Sequence, residues 1–482
     1  MSHFKTVSNK VLRSIFFGVL SLSITSNAFA FVDMETRKPV EMEDGILTPF
    51  WAQEYIGADL VKMEMKTLPN LHRIPFAVYD SGFEKKHIRL SFDIPVDTSF
   101  NGNRPVKGHH GTSVANLING TGMMSVSEIV DYVHLKRVSP AVFYFGVVKE
   151  MQSLPLKPQV ISNSMGWTSP RVLELAQQVD QMGIIWVMAS GNDHPEKIVE
   201  HERIAPVIAV GSYSPRGLQT RSSQESDQLD ILAPADEYQA SIDGNGAETL
   251  FGGTSGATPL VSGSIANIKS LLPGLTRQQV ESLMKRTAIR SLHSYYSPTN
   301  KTGLFNAYKM FHVALRLKNI CGDDGVCLQK EIDQRKNYAF IPENLDTKSL
   351  MACQNKEALP KNSMENLRRN FLLNANNTAY ARLLSCAYRN EGFSINADYY
   401  ENMALIYDSP GKLQEKIQRA AVKAVEQRYL ESAAIRDAEI LNDSYKEALL
   451  KAIAEDSGIG AHRAKELLQI YENTPKVRPL GL

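Results

Sequence analysis

Short apolar runs closed by turn residues punctuate the first two thirds of the chain. Ile74-Pro75-Phe76-Ala77-Val78-Tyr79 runs into Asp80-Ser81-Gly82, and Val160-Ile161-Ser162-Asn163 runs into Ser164-Met165-Gly166. Ile184 to Met188 leads into Ala189-Ser190-Gly191-Asn192, and Val207 to Gly211 and Leu229 to Pro234 follow. Unbroken runs of this kind predict strands covered on both faces, as in a parallel sheet. Helical spacing fills the intervals. Gly111 opens the small-residue stretch Thr112-Ser113-Val114-Ala115, and Ser169 with Pro170 fits the start of a helix that Gly183 closes. Ser255 begins an apolar segment reaching to about Pro273, and Thr276 caps a further helix carrying Val280, Leu283 and Met284. The alternation predicts an α/β fold, a parallel sheet with helices on both faces.

The pattern changes after about residue 320. Charge and helix formers dominate, and amphipathic spacing runs over Met364–Arg389, Lys412–Leu441, Tyr445–Glu455 and Ala461–Tyr471. We read 317–482 as a mostly α-helical C-terminal domain of three to five helices whose apolar stripes form ordinary core. Residues 31–70 read as a polar, mixed lead-in with Trp51 and Tyr55 as docking aromatics. At the N-terminus, Lys5, Lys10 and Arg13 precede an apolar run from Ser14 to Thr25 and then Ala28-Phe29-Ala30. That order is a secretory signal over 1–30, cleaved after Ala30; an uncleaved anchor would want about 20 apolar residues. The expectation is a secreted or periplasmic protein with no stable membrane insertion after signal removal.

With 482 residues and 43% hydrophobic content the chain has room for two or more domains, and its net charge of +1 gives no argument for nucleic acid. Cys321, Cys327, Cys353 and Cys386 all fall in the last third, an even count that in an exported chain predicts two disulfides. Of the three possible connectivities, Cys321 with Cys327 and Cys353 with Cys386 is preferred. A zinc site fits less well, because the spacings include no C-x-x-C and no neighbouring histidine.

Four residues carry candidate chemistry, and each alone has a plain reading. Ser255 lies in Gly252-Gly253-Thr254-Ser255-Gly256, where a helix start would supply unpaired N–H groups beside its hydroxyl; an ordinary capped loop has the same composition. Asp80 ends a strand, and also suits a turn. His110 follows His109 in a glycine-flanked loop, and Asn192 follows a strand. Taken in order, Asp-Ser-Gly, His-Gly-Thr, Ser-x-Gly, Ala-x-Gly-Asn and Gly-Thr-Ser-x-Ala-Thr-Pro resemble the subtilisin-like serine proteases, from about Ile74 to Leu315. The resemblance implies a peptidase domain over 71–316 with Ser255 as nucleophile, His110 as base, Asp80 as its orienting carboxylate and Asn192 in the oxyanion hole. It also implies that Ser164, Met165 and Gly166 pair with an extended polypeptide substrate, while Ala189, Ser190 and Gly191 wall the pocket for the residue before the cut. No cofactor is required by it; structural calcium is a family habit, without a clear loop signature here.

Departures from the family pattern are few. Gly256 stands where a larger apolar residue is common, and Ser113 where a second histidine is common. Only about 50 residues separate the expected cleavage point from Asp80, short for a folded propeptide, so the C-terminal domain is read either as a folding aid or as a binder of a protein partner. Two other readings compete: a catalytically inactive subtilase-fold binding protein, and acid-acting sedolisin-type chemistry. The latter expects a carboxylate base and an aspartate in the oxyanion position, where this chain has His110 and Asn192.

Overall fold

A hairpin of β1 (Val40–Met42) and β2 (Gly45–Leu47) leads into two short helices, α1 (Trp51–Ile56) and α2 (Ala58–Met65). The chain then enters the sheet with β3 (Ile74–Asp80), β4 (Val96–Asp97), α3 (His109–Asn119), β5 (Val130–Arg137), α4 (Val147–Ser153), β6 (Val160–Asn163), α5 (Val172–Gln181), β7 (Ile185–Ala189), β8 (Ile208–Tyr213) and β9 (Ile231–Pro234). A second hairpin, β10 (Gln239–Ile242) and β11 (Glu248–Phe251), delivers the long helix α6 (Gly253–Leu271), followed by α7 (Arg277–Thr287). Then come α8 (Ala307–Cys321), α9 (Gly325–Gln334), α10 (Thr347–Asn355), α11 (Lys361–Leu373), α12 (Thr378–Asn390) and α13 (Ser394–Asp408), with further helical residues at 410–413 and 415–416.

This computed structural model describes residues 38–42, 45–84, 96–97, 109–120, 122–137, 147–165, 172–193, 198, 206–220, 222–224, 229–236, 239–242, 246, 248–291, 302–334, 338–341, 347–413 and 415–416. Residues from Pro39 onward form one compact unit. The expected signal over 1–30 lies outside the described residues, as do the amphipathic patterns at Tyr445–Glu455 and Ala461–Tyr471 and most of Lys412–Leu441. No described helix is long and apolar enough to cross a membrane.

Seven parallel strands form the main sheet in the order β4-β5-β3-β6-β7-β8-β9. Successive side chains point to opposite faces, and β3 shows why its run is apolar throughout: Phe76 and Val78 join one core, Ala77 and Tyr79 the other. Helices α3 and α6 cover the first face, and α4 and α5 cover the second. All five strands expected from apolar runs are present. Two more are not announced by such runs. β5 interleaves Asp131, His134 and Lys136 with Val133 and Leu135, a mixed pattern that suits a place near the sheet edge, where only the two-residue β4 lies beyond it.

The lead-in is more ordered than its composition predicts. Trp51 and Tyr55 are fully buried, and Tyr55 stacks on Tyr399 of α13 with ring centroids 3.7 Å apart. One hydrophobic cluster runs without a break from Leu47 and Tyr55 through α6 to Phe371 and Tyr399, so sheet, lead-in and C-terminal helices share a core. The long pattern expected over Met364–Arg389 is split into α11 and α12 by an asparagine-rich turn, with Asn377 capping α12. Disulfides join Cys321 to Cys327 and Cys353 to Cys386, the preferred pairing.

A buried ion pair ties lead-in to C-terminal helices. Arg368 of α11 grips both carboxylate oxygens of Asp59 at 2.8 and 2.7 Å and donates to the Glu54 carbonyl at 2.8 Å, and both charged side chains are almost wholly buried. Removing one partner of such a pair strands the other charge and costs about 3–5 kcal/mol. Arg368→Met should therefore lower stability by about that amount in urea unfolding, and Asp59→Asn/Arg368→Met by distinctly less, since the double change leaves no buried charge. Equal losses in the two variants would show that the pair is not the tie.

Candidate active site

The chain reverses its direction of sheet-building at β3. From there it goes outward to β4 and β5, then returns to place β6 on the other side of β3. Crevices at the carboxyl ends of strands flanking such a switch point are where ligands settle in open α/β sheets. Asp80 is the last residue of β3, and Ser164 directly follows β6.

Asp80 is completely buried, and its Oδ1 accepts from the Ser81 N–H at 2.7 Å and lies 2.7 Å from His110 Nδ1. His110 sits in the first turn of α3, which can approach β3 this closely because of Gly111. A Cβ there would stand 2.3 Å from the Gly82 carbonyl oxygen and 2.9 Å from Asp80 Cβ. Thr112 secures the same junction by accepting from the Glu84 N–H at 2.9 Å. Burial lowers the His110 pKa, but the Asp80 charge and hydrogen bond outweigh it, leaving the imidazole above its ordinary 6.5. Phe251, at the end of β11, packs edge-on against the imidazole with centroids 5.2 Å apart.

Ser255 lies in the first turn of α6, whose leading N–H groups have no helical partner. Asn192 Oδ1 takes one of them, accepting from the Thr254 N–H at 2.9 Å and from the Thr254 hydroxyl at 3.1 Å. That fixes the amide with Nδ2 turned the other way, on an exposed side chain and without a partner among the described residues. The Ser255 N–H is likewise unpaired among them. Gly253 permits the contact with Asn192: its φ is +63°, and a Cβ would fall 2.9 Å from Asn192 Oδ1.

Pro259 adds a constraint that the motif alone does not explain. It occupies the position four residues after Ser255 and has no N–H, so the Ser255 carbonyl loses its helical donor. The Ser164 hydroxyl replaces it, donating to that carbonyl at 3.0 Å. In return the Ser255 hydroxyl donates to the Ser164 carbonyl at 3.0 Å, and no hydrogen bond joins Ser255 to His110 among the described residues.

Of the other expected site residues, Met165 follows Ser164, its N–H donating to Asn163 Oδ1 at 3.0 Å. Ala189 and Ser190 are buried at the end of the adjacent β7, and the Gly191 carbonyl accepts from the Gln224 N–H at 3.0 Å. Gly166 lies outside the described residues. Thr254, Phe251, Gln224 and the role of Pro259 were not anticipated. Thr254 and Pro259 stood inside the Gly-Thr-Ser-x-Ala-Thr-Pro motif, whereas Phe251 and Gln224 reach the site only through folding.

The profile of the subtilase family matches residues 74–318. Alkaline elastase YaB from Bacillus sp. (strain YaB) is 31% identical over 188 residues, covering 37% of this chain and 50% of that protein. Subtilisin amylosacchariticus from Bacillus subtilis subsp. amylosacchariticus is 26% identical over 272 residues, 51% of this chain and 70% of its own. The chain thus spans about half the length of the first of these relatives. A solved structure described as a cold adapted subtilisin-like serine proteinase aligns at a TM-score of 0.41 and 22% identity, covering 49% of this chain and 87% of its own. A profile match across half of the chain, over the segment that holds all four candidate residues, makes this protein a member of the subtilase family.

Proposed function

We propose that the chain is an exported serine endopeptidase that hydrolyses peptide bonds through an acyl-enzyme on Ser255. The observation that carries the proposal is the buried Asp80 carboxylate 2.7 Å from His110 Nδ1, beside a helix start with an unpaired N–H at Ser255. Ser255 Oγ attacks the scissile carbonyl carbon while His110 Nε2 takes its proton; Asp80 holds Nδ1–H and stabilises the imidazolium. The carbonyl oxygen, now negative, receives the Ser255 N–H and Asn192 Nδ2–H. His110 then hands the proton to the leaving amine, and water reverses the sequence to release the acid. Residues 164–166 pair with the substrate backbone, and residues 189–191 wall the adjoining pocket. These steps draw on no cofactor. The shared core and the Arg368–Asp59 tie favour a folding role for the C-terminal helices over partner binding.

One observation favours the inactive, binding-protein reading: the Ser255 hydroxyl is engaged by Ser164, not His110. A fluorophosphonate probe separates the two. Labelling of the folded chain that vanishes in Ser255→Ala is the expected result, and a folded chain that resists the probe would favour the binder.

The base works only when neutral. Because Asp80 holds the His110 pKa above 6.5, kcat/KM should rise with pH and reach half its plateau above 6.5. Asp80→Asn should shift that midpoint downward and cut kcat by roughly four orders of magnitude. A pH–rate profile checks both; a wild-type midpoint below 6.5 contradicts the pairing.

Ser164 acts here as a positioning residue. Ser164→Ala leaves the Ser255 carbonyl unpaired, and kcat should fall about tenfold with KM within about threefold. Adding Pro259→Ala restores a helical N–H to that carbonyl, so the double variant should regain at least about half of the lost activation free energy. Steady-state kinetics on the four proteins decide it, and a double variant no better than Ser164→Ala defeats the idea.

A further inference from the structure

Away from the triad, a cavity of about 550 Å³ opens between the α7–α8 segment and the C-terminal helices. Its walls include Arg286 at the end of α7, Asn306 and Lys309 at the start of α8, Asn374 in the turn before α12, and the rings of Phe340 and Tyr407. The volume lies in the range of small-molecule sites, and the lining is mainly polar, with the rings of Phe340 and Tyr407 set among the polar groups.

The lining has a sign. Its described residues include two cations and no carboxylate. Lys309 is half-buried with no partner for its ammonium among the described residues, and burial alone holds its pKa below the ordinary lysine value. Asn374 is 8% exposed, and its Nδ2 donor is buried without a partner. Helices α8 and α12 both begin at this wall, behind the caps Asn306 and Asn377, and present their positive ends to it. Arg286 is engaged by the Ile332 carbonyl. A buried amide donor and a desolvated ammonium both cost free energy until an acceptor meets them.

We propose that this cavity binds a small organic carboxylate with an aromatic body, the carboxylate between Lys309 and Asn374 and the ring against Phe340 and Tyr407. A compact inorganic anion satisfies the donors but leaves the aromatic walls bare. None of Asp80, His110, Asn192 and Ser255 lines the cavity, so the proposal stands whether or not the chain is a peptidase.

The test uses the full chain carrying Ser255→Ala, titrated calorimetrically with 1-naphthylacetate, with the neutral 1-naphthylacetamide and with inorganic phosphate. The expected result is one saturable naphthylacetate site whose Kd weakens at least about tenfold for the amide, and again in Lys309→Gln, while Lys309→Arg stays within about threefold. If Lys309→Gln does not fold, Asn374→Asp supplies the second arm, since a like charge at that donor should weaken naphthylacetate binding by at least as much. Absence of saturable naphthylacetate binding overturns the site, as does a Kd indifferent to the variant. Tighter binding of phosphate than of naphthylacetate overturns the aromatic-acid assignment.

Discussion

The site depends on how one helix start satisfies backbone groups that helical geometry leaves over. A helix frees its first N–H groups, and Pro259 frees one carbonyl more, that of Ser255. Each freed group is then either claimed or kept available. Asn192 claims the Thr254 N–H and thereby aims its own amide; Ser164 claims the Ser255 carbonyl and thereby links α6 to the end of β6. Among the described residues the Ser255 N–H is left for a ligand. Buried polar groups must be paired, so this allocation leaves the first turn little freedom.

Sheet topology brings the partners to that turn. Because β3 and β6 flank the switch point, Asp80 and Ser164 end on the same edge, and α3 returns His110 to it over a contact too close for any residue but glycine at 111. The hairpin before α6 closes the other side, placing Phe251 against the imidazole, while Ser241 donates to the Ser113 carbonyl at 3.0 Å. Partial desolvation of His110 by these neighbours strengthens the Asp80 interaction that opposes it.

Much of this was legible because it is local. Asp80, His110, Asn192 and Ser255 each stand in a short motif whose glycines mark close backbone approaches, and five strands stand in continuous apolar runs. What escaped is relational. The Arg368–Asp59 pair joins residues 309 positions apart, and the Tyr55–Tyr399 stack likewise needs the folded chain to exist. A charged residue in a helical pattern reads as solvated surface, and so the lead-in read as polar although Asp59 and Lys62 are buried with partners. β5 escaped for a similar reason: a strand near an edge need not be apolar on every residue.

The resting partner of the nucleophile is the least expected feature, and the same geometry explains how it can be compatible with catalysis. The Ser255 hydroxyl donates to the Ser164 carbonyl, which lies at the head of the segment proposed to pair with substrate. A substrate N–H arriving at that carbonyl would compete for the same acceptor, and a displaced hydroxyl needs only a rotation about one side-chain bond to seek another. His110, half-exposed and already held in one tautomer by Asp80, is the base available to receive it. Alignment of the nucleophile would then be completed by binding, as catalytic hydrogen bonds commonly tighten only in the complex. The Ser164 hydroxyl, engaged with the Ser255 carbonyl instead, keeps α6 in place while its own carbonyl changes partners.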